Sequence, residues 1–263
     1  MQLGFFNYFC ALPMSKALVI TPTYNESDNI IAIVDAVFVQ PTAFHMLIVD
    51  DNSPDGTAEM VKELQKKYNT SETRLHLLER PGKKGLGTAY IEGFRYGLSN
   101  GYDYLLEMDA DFSHDPKDLN RLLHACLEEG ADMAIGSRYS QGVNVVNWPM
   151  SRVLLSYFAS VYVRFVTRMP IHDTTAGFCC YRRKVLETIP LDKIKFVGYA
   201  FQIEMKFTTW KFGFKLKEVT IIFTDRVRGQ SKLSSGIFKE AFWGVIQLKV
   251  NSWFRKYPTV RVN

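Results

Sequence analysis

Short apolar runs alternate with segments of helical periodicity over the first 140 residues of the chain. The apolar runs predict strands at residues 16–21, 45–51, 74–79, 102–108 and 131–136. Apolar residues at helical spacing predict helices between them, at residues 28–39, 57–68, 88–99 and 116–129. Strands that alternate with helices in this way are typical of right-handed βαβ units. We therefore expect an α/β fold with a mostly parallel sheet.

The pattern changes after residue 140. An apolar and aromatic helix, a strand, a helix and a strand are predicted at residues 151–168, 177–182, 200–210 and 215–223. A basic loop at 225–236 then precedes a last helix from Ile237 to about Lys256. Because no repeat or long linker interrupts the chain, we expect one domain over 16–234. An extension at 1–15 would precede it, and an amphipathic helix would occupy 235–263.

Composition narrows the classes of function without choosing one. The net charge of +5 over 263 residues is too small to indicate nucleic acid and suits an anionic substrate or a membrane surface. The four cysteines lack metal-ligand or disulfide spacing, which indicates a reducing compartment such as the cytoplasm. The longest apolar run, Val153–Val163, is too short to span a bilayer, and the first residues lack the basic region of a signal peptide.

Polar residues follow three of the predicted strands, in the segments Pro22–Glu26, Asp50–Asp55 and Asp109–Asp111. Ligands of open parallel sheets bind beyond the carboxyl ends of the strands, so we expect the three segments on one rim. Asp109 and Asp111 can both reach one hard cation, and Mg²⁺ or Mn²⁺ would complete its shell with phosphate oxygens. A solvated acidic turn is the alternative, but the position after a strand favours a metal.

The other two segments have features of a nucleotide site. Asp51 can accept hydrogen bonds from a base or a ribose hydroxyl, although a helix cap is the alternative. Tyr24 offers a flat face for a nucleobase, Glu26 offers an acceptor, and Pro22 is expected to end the hydrogen-bond ladder of its strand. A plain connection between strand and helix explains the segment at 22–26 about equally well.

Basic residues supply a further set of candidates. The basic, glycine-rich segment 82–87 precedes a helix and could approach phosphates. Because it matches neither the dinucleotide nor the Walker pattern, a turn is the favoured interpretation. Four cations of the second half lie in or beside loops, namely Arg138, Arg152, Arg226 and Lys232. Each alone is typical of surface charge, but the Gly/Ser-rich setting of the last two indicates a mobile cationic flap. The five histidines lack metal-binding spacing and are interpreted as structural or exposed.

These motifs in this order resemble inverting glycosyltransferases of family 2, in particular the dolichyl-phosphate (polyprenyl-phosphate) mannose synthases. The strings that carry the resemblance span about residues 16–234 and are TPTYNESDNI, IVDDNSPDGT, KKGLGTAYIEGF, MDADFSHDP, GSRY, GYAFQIEM and DRVRGQSKL. PTYNE and DxD mark the family, whereas the whole combination is more specific for the polyprenyl-phosphate branch. The resemblance implies a GT-A fold, which is Rossmann-like with helices flanking the sheet. It also implies transfer of mannose from GDP-mannose to a polyprenyl or dolichyl phosphate with Mg²⁺ or Mn²⁺.

The resemblance further implies roles for individual residues. The donor would be bound by Pro22, Tyr24, Glu26, Val49, Asp51, Asp109, Ala110 and Asp111, and by Arg226 and Lys232, which close over its diphosphate. Asp109, Asp111 and Ser113 would hold the metal. Arg138 lies between the donor and acceptor phosphates, and Arg152 and Ser156 contact the acceptor phosphate. The catalytic set would be Asp111, Arg138, Arg226 and Lys232.

Elementary electrostatics is consistent with so many cations. Two phosphorylated reactants of about two negative charges each repel by about 11 kcal/mol at ~6 Å and an effective dielectric constant of ~20. A divalent ion and the four basic residues supply about six positive charges, enough to exceed the site aspartates. A phosphate acceptor is already largely dianionic at neutral pH and needs no deprotonation. We therefore expect direct in-line attack with inversion and no protein base.

A lipid acceptor requires access to a bilayer surface. On a helical wheel, the last helix has one apolar stripe through Phe238, Phe242 and Val245 and a second through Trp243, Val250 and Trp253. One stripe can pack on the domain while the other enters the membrane interface, and a core or dimer helix is the alternative. We expect peripheral attachment to the cytoplasmic face. A membrane-anchoring partner subunit, as some relatives use, stays open.

Other functions remain compatible with the sequence. The donor could be UDP-glucose or another nucleotide sugar, because no residue is identified that distinguishes guanine from uracil. A transferase acting on a soluble glycan hydroxyl would need a base and no lipid-facing helices. A catalytically silent nucleotide-sugar-binding subunit would have no need of the metal motif, Arg226 or Lys232.

Overall fold

A seven-stranded sheet forms the centre of the protein. The computed structural model describes residues 15–198, 200–225 and 235–258, with the backbone alone at 235–241. Within these residues the strands are β1 (Ala17–Thr23), β2 (His45–Asp50), β3 (Leu75–Glu79), β4 (Tyr104–Glu107), β5 (Met133–Ser137), β6 (Val145–Val146), β7 (Cys179–Arg182), β8 (Leu216–Thr220) and β9 (Phe223–Thr224). The spatial order of the sheet is β3-β2-β1-β4-β7-β5-β8, and β6 pairs with β9 in a separate ribbon.

All pairs of the sheet are parallel except those of β7, which runs antiparallel between β4 and β5. The helices that connect or follow the strands are α1 (Ile30–Phe38), α2 (Thr57–Tyr68), α3 (Leu86–Ser99), α4 (Asp118–Leu127), α5 (Met150–Thr167), α6 (Arg183–Thr188), α7 (Ala200–Lys211) and α8 (Ser235–Phe254). The predicted α/β fold with a mostly parallel sheet is thereby confirmed.

Helices cover both faces of the sheet, and alternate residues of each strand feed two separate cores. In β1, Leu18 and Ile20 pack in the core that includes residues of α3, α6 and α7. Ala17 and Val19 pack in the other core, with residues of α1, α2 and α4. The strand side chains point to opposite faces in turn, so a run of consecutive apolar residues is buried on both sides.

Helix α3 approaches the sheet closely through glycine. A Cβ atom at Gly93 would lie 2.5 Å from Ile20 Cγ2, and one at Gly97 would lie 2.3 Å from Leu105 Cδ2. These positions therefore exclude any side chain. The same helix begins at Leu86, two residues before the predicted start, so the glycine-rich turn leads directly into its first turn.

Two local predictions were wrong. Pro22 does not end the ladder: β1 continues to Thr23, and Pro22 is paired with Val49 of β2. Since β4 pairs with β1 only as far as Ile20, the missing N–H of Pro22 falls where a single neighbouring strand remains. The predicted strand at 215–223 is two strands, β8 and β9, which separate at Ile221 and join different sheets. Helix α6 and β6 were not predicted.

Candidate active site

A pocket of about 430 Å³ opens at the carboxyl ends of β1, β2, β4 and β5. It is lined by most of the residues that the sequence singled out, namely Pro22, Tyr24, Glu26, Asp51, Asp109, Ala110, Asp111, Ser113, Arg138 and Arg152. The three polar segments expected on one rim therefore meet in one cavity, as the position of binding sites in open α/β sheets leads one to expect.

Two of the predicted site residues do not line this pocket. Val49 is fully buried in the core, where its side chain packs with Leu18, Ile20 and Leu47. Ser156 is half-buried one helical turn beyond Arg152 on α5. Two others, Arg226 and Lys232, fall outside the residues that the structure describes.

Adjacent aspartates at the end of β2 have different tasks. The Asp50 carboxylate accepts hydrogen bonds from the Thr23 hydroxyl (2.8 Å) and from the Ser53 N–H and hydroxyl (2.8 and 2.6 Å), which fixes the loop. Asp51 lines the pocket instead, with Arg80 Nη1 3.2 Å from its Oδ1. Burial raises the pKa of Asp51, and the charge of Arg80 opposes that effect. Asp51 is thus the carboxylate available to a ligand.

The segment after β1 presents an aromatic ring at the pocket, and a lysine from the turn before α3 lies over that ring. Lys83 Nζ lies 4.6 Å from the centre of the Tyr24 ring, and both residues line the pocket. The next residue, Asn25, adopts a left-handed backbone (φ 58°), and its N–H donates to Ser53 Oγ at 3.0 Å. The Glu26 N–H donates to Thr57 Oγ1 at 3.1 Å. These bonds join the loops after β1 and β2 and hold Tyr24 at the pocket.

The turn after β4 places two carboxylates at the pocket. Asp111 accepts hydrogen bonds from the N–H of Ser113 (3.1 Å) and from its hydroxyl, and Phe112 between them is left-handed (φ 60°). The Asp109 N–H donates to His114 Nδ1 at 3.2 Å, which leaves the ring proton on Nε2. Burial lowers the pKa of His114 and favours this neutral form. The turn is therefore built to present oxygen atoms.

The donor set of this turn fits a hard divalent cation. Asp109 and Asp111 supply carboxylate oxygens at the pocket wall, the ligand type that Mg²⁺ and Mn²⁺ take. In the described part of the chain, no cluster of three or more His, Cys, Asp or Glu residues suits a metal ion. An ion held here would depend on further oxygens, such as those of a diphosphate.

Arg138 and Arg152 also line the pocket, and each has a carboxylate partner. Arg138 is bound by Asp173 through Nε and Nη2, both at 2.7 Å, and Nη2 also donates to Thr175 Oγ1 at 2.8 Å. Arg152 Nη1 donates to Asp225 Oδ1 at 2.9 Å, and its guanidinium stacks 4.1 Å from the Trp148 ring centre. Both arginines are therefore held in fixed positions at the pocket.

The comparisons with known proteins agree with this arrangement. The family model described as glycosyl transferase family 2 matches residues 18–190. The chain belongs to glycosyl transferase family 2. It is 47% identical, over 89% of its length and 88% of the relative's, to polyprenol monophosphomannose synthase of Mycolicibacterium smegmatis. It is 42% identical, over 88% of its length and 94% of the relative's, to undecaprenyl-phosphate mannosyltransferase of Micrococcus luteus.

Solved structures share the family 2 fold at low sequence identity. Glucosyl-3-phosphoglycerate synthase of Mycobacterium tuberculosis, solved with Mn²⁺ and UDP, has a TM-score of 0.63 and 14% identity, covering 90% of this chain and 80% of that one. A mannosyltransferase of Pyrobaculum calidifontis, solved with GDP-Man and Mn²⁺, has a TM-score of 0.59 and 16% identity, covering 92% and 64%. The architecture of this chain is thus that of a GT-A enzyme.

Several residues of the family 2 pocket were missed by sequence reasoning. They are Lys83, Tyr90, His114, Trp148, Thr175, Gln202 and Phe223. Contact of the segment 82–87 with phosphates was considered, but a turn was favoured and Lys83 was not named as a site residue. In the structure Lys83 lines the pocket, and Gly85 of the same segment has a positive φ of 98°. Trp148 and Phe223 come from the ribbon and its flanks, whose strands have only two residues each and give no periodic signal.

Proposed function

We propose that this enzyme transfers mannose from GDP-mannose to a polyprenyl phosphate, such as dolichyl phosphate, with inversion at the anomeric carbon. The observation that carries the proposal is the 47% identity to polyprenol monophosphomannose synthase over 89% of the chain. Identity at this level and over this length extends to the regions assigned to the donor and the acceptor, and so supports more than a shared fold. The pocket described above then gives each reactant a place.

The donor nucleotide is assigned to the walls formed by the loops after β1 and β2. The Tyr24 ring offers a stacking face for the base, and the Asp51 carboxylate offers an acceptor for base or ribose donors. Lys83 lies close enough to Tyr24 to approach a phosphate of a nucleotide stacked there. Pro22, Glu26 and Ala110 complete this wall by contact.

Asp109 and Asp111 would hold Mg²⁺ or Mn²⁺, and Ser113 would orient Asp111 through its hydrogen bonds. When bound, such an ion neutralises charge that develops on the leaving diphosphate. The residues do the rest of the positioning: Asp109 is fixed through its N–H to His114, and Tyr90 donates to Asp109 Oδ1 at 3.4 Å. Arg226 and Lys232 are proposed to add cations over the diphosphate.

The acceptor phosphate is assigned to Arg138 and Arg152. In the structure Asp173 and Asp225 neutralise these two arginines. The charge count made from the sequence did not include these two carboxylates. Lys83 adds one cation that the count also omitted. The positive charge that this set supplies is therefore about five instead of about six, once two carboxylates and one lysine are included. An arriving phosphate would compete with Asp225 for Arg152, whose side chain is 25% exposed, more readily than with Asp173 for the buried Arg138.

The proposal assigns no protein base, and three candidate groups among the described residues are already engaged. Both oxygens of Asp173 are engaged by Arg138. Burial raises the pKa of Asp173, but the charge and hydrogen bonds of Arg138 outweigh that effect and hold the pKa below its usual value. Glu204 accepts the N–H groups of Lys195 and Phe196 at 2.8 and 3.0 Å and does not line the pocket. His114 uses Nδ1 for the Asp109 N–H. A phosphate nucleophile needs none of them.

Peripheral binding to the cytoplasmic face of a membrane is part of the proposal. Large apolar side chains are exposed along α5 and α8, including Met150, Leu154, Phe158, Phe165, Trp243, Val250, Trp253 and Phe254. The helices are tied together where the Tyr162 hydroxyl donates to the Phe242 carbonyl at 2.9 Å. Among the described residues, no helix is both long and apolar enough to traverse a bilayer. The pocket residue Arg152 lies on the first turn of α5, so a lipid tail could leave the pocket along this surface.

A transfer assay with purified protein tests the proposal. Radiolabelled GDP-mannose or UDP-glucose would be incubated with a polyprenyl phosphate in detergent, with Mg²⁺, Mn²⁺ or a chelator. Label from GDP-mannose should enter the lipid phase only with a divalent ion. Transfer from UDP-glucose instead would reassign the donor, and nucleotide binding without transfer would indicate a silent binding subunit.

A further inference from the structure

Arg80 is a buried cation that lies behind the pocket. It follows β3 directly, its side chain is 1% exposed, and it does not line the pocket. Its backbone N–H donates to the Asp50 carbonyl at 2.8 Å, which extends the pairing of β3 with β2 by one residue. The guanidinium is thereby placed beside the last residues of β2, where the chain turns into the pocket.

The guanidinium contacts three residues in two parts of the fold, the end of β2 and helix α3. Nη1 lies 3.2 Å from Asp51 Oδ1, and Nε lies 3.5 Å from Glu92 Oε1 on α3. Nη2 donates to Thr88 Oγ1 at 2.6 Å, and the Thr88 hydroxyl donates in turn to the Gly85 carbonyl at 2.8 Å. One side chain therefore connects the carboxylate of the donor wall with the first turn of α3 and the glycine-rich turn that carries Lys83.

The charges around Asp51 make this contact important. Asp51 is 7% exposed, and two further carboxylates, Asp50 and Glu92, act on it with the same sign. The cations that oppose them are Arg80 and Lys83, of which Lys83 is at the pocket surface. Burial and like charges raise the pKa of such a carboxylate, and a nearby cation limits that rise. A protonated Asp51 would lose acceptor capacity for a ribose or base donor.

The geometry points to Arg80 as a positioning residue for the donor nucleotide: it holds the Asp51 carboxylate at the pocket wall and fixes its distance from the turn that carries Lys83. This inference rests on the proposed function, because it presumes that Asp51 contacts the donor. Arg80 touches no reactant in this scheme and acts through Asp51 and Thr88. Its planar fork suits the task, since one ammonium group cannot reach both partners.

The inference is tested by measuring the affinity of the full-length protein for GDP by calorimetry, in the presence of Mn²⁺ and at several pH values between 5.5 and 8.5. Arg80→Met should weaken GDP binding on the order of tenfold, the usual size for loss of a group that orients a ligand-binding residue. Because removal of Arg80 raises the pKa of Asp51 further, the loss should grow as the pH falls. The value of kcat at saturating donor should stay within about threefold, since chemistry is not touched.

Three further variants make the result specific. Arg80→Lys restores the positive charge. The pH midpoint of its GDP affinity should therefore equal that of the wild type, while part of the loss of affinity persists. Asp51→Asn should bind GDP weakly with no pH dependence. Arg74→Met is the matched control, because Arg74 lies at the opposite end of β3 and donates to the Phe44 carbonyl at 2.8 Å.

Each outcome decides something. Wild-type protein that binds no nucleoside diphosphate overturns the proposed function and this inference with it. Wild-type binding that is unchanged in Arg80→Met overturns the inference alone, as does a pH midpoint in Arg80→Lys equal to that of Arg80→Met. If melting curves show that Arg80→Met does not fold, Arg80→Lys decides by itself: wild-type GDP affinity in that variant overturns the role of Arg80.

Discussion

Both carboxylate oxygens of Asp173 accept hydrogen bonds from the guanidinium of Arg138, at 2.7 Å each. The two side chains are 0% and 5% exposed, so the pair is sheltered from water although Arg138 borders the pocket. Well-aligned hydrogen bonds offset the cost of burying two charges. Removal of one partner leaves the other charge buried and uncompensated, which is strongly destabilising. Arg138 thus reaches its place at the pocket only because Asp173 holds it there.

Asp173→Asn is therefore expected to lower the free energy of unfolding by about 3 kcal/mol at pH 7. The folded-state pKa of Asp173 lies below its usual 3.8, so this stabilisation is present above that value and lost as the pH falls through the lower folded value. Urea unfolding at pH 7 and pH 3 measures the loss of stability and its dependence on pH. Asp192→Asn is the control, because its pair with Arg95 is exposed and should change stability by less than about 1 kcal/mol. Equal losses in both variants would contradict the prediction.

Asp111→Asn should reduce the transfer rate by at least about a hundredfold. The variant lacks a carboxylate charge that would hold a divalent ion against the leaving diphosphate. Titration of Mn²⁺ into the nucleotide complex would show weaker ion binding in the same variant. Asp115→Asn in the same turn is the matched control, since Asp115 is exposed and caps the Lys117 N–H at 3.0 Å. Unaltered transfer in Asp111→Asn and in the presence of a chelator would refute a metal role.

Arg152→Met should raise the KM for the polyprenyl phosphate about tenfold or more and leave GDP affinity unchanged, because a charge-assisted contact to the acceptor is removed. Asp225→Asn should have the opposite effect, since Arg152 would then be released from its partner. Steady-state kinetics with a short-chain lipid phosphate gives both values. Arg121→Met on α4 is the control, because the Arg121 side chain is 53% exposed and does not line the pocket, although it pairs with the buried Asp118. A change in donor affinity alone would place Arg152 on the other reactant.

The Trp243→Ala/Trp253→Ala variant should float poorly with anionic liposomes, because the two indoles are 63% and 68% exposed on α8. Folding should be little affected, as exposed side chains contribute little to the core. Val39→Ala/Leu127→Ala removes comparably exposed apolar groups elsewhere and serves as the control. Flotation equal to that of the wild type would count against an interfacial role of α8.

Glu107 gives a prediction for pH dependence. Burial raises its pKa from 4.5 to about 8, although the charge of Lys206 opposes the rise. The folded protein therefore retains this proton where the unfolded chain has lost it, and Glu107 lowers stability as the pH rises from 4.5 towards 8. Glu107→Gln removes this loss, so the variant should gain stability relative to the wild type by on the order of 3 kcal/mol between pH 5 and pH 8. A stability difference that is the same at both pH values, measured in urea, would disprove this.

Sequence patterns predicted the first half of the fold well because its elements are regular. Each strand from β1 to β5 is a short apolar run, and each helix between them has a clear apolar face, so periodicity located them within a few residues. The polar segments that follow β1, β2 and β4 met in one pocket for a topological reason, since parallel strands end on the same rim.

The remaining features depend on contacts between distant residues. The pairing of Arg138 with Asp173 and of Arg152 with Asp225 joins positions 35 and 73 apart along the chain, which no local pattern reveals. Arg80 looks like any basic residue after a strand, and its burial arises from the packing of α3 on β2. The helical wheel of α8 did not show which stripe packs on the domain: Val245 is buried, but Phe242 of the same stripe is 46% exposed and stacks on Tyr162.

The antiparallel strand β7 has a consequence for dissection of the molecule. The regular alternation of strands and helices ends with β5, whose neighbours in the sheet are β7 and β8. A fragment truncated at Ser137 would leave β5 without either neighbour and would expose one whole edge of β4. The two halves of the sequence are thus interleaved in one set of hydrogen bonds. A split version should regain its shape only when both pieces are supplied together.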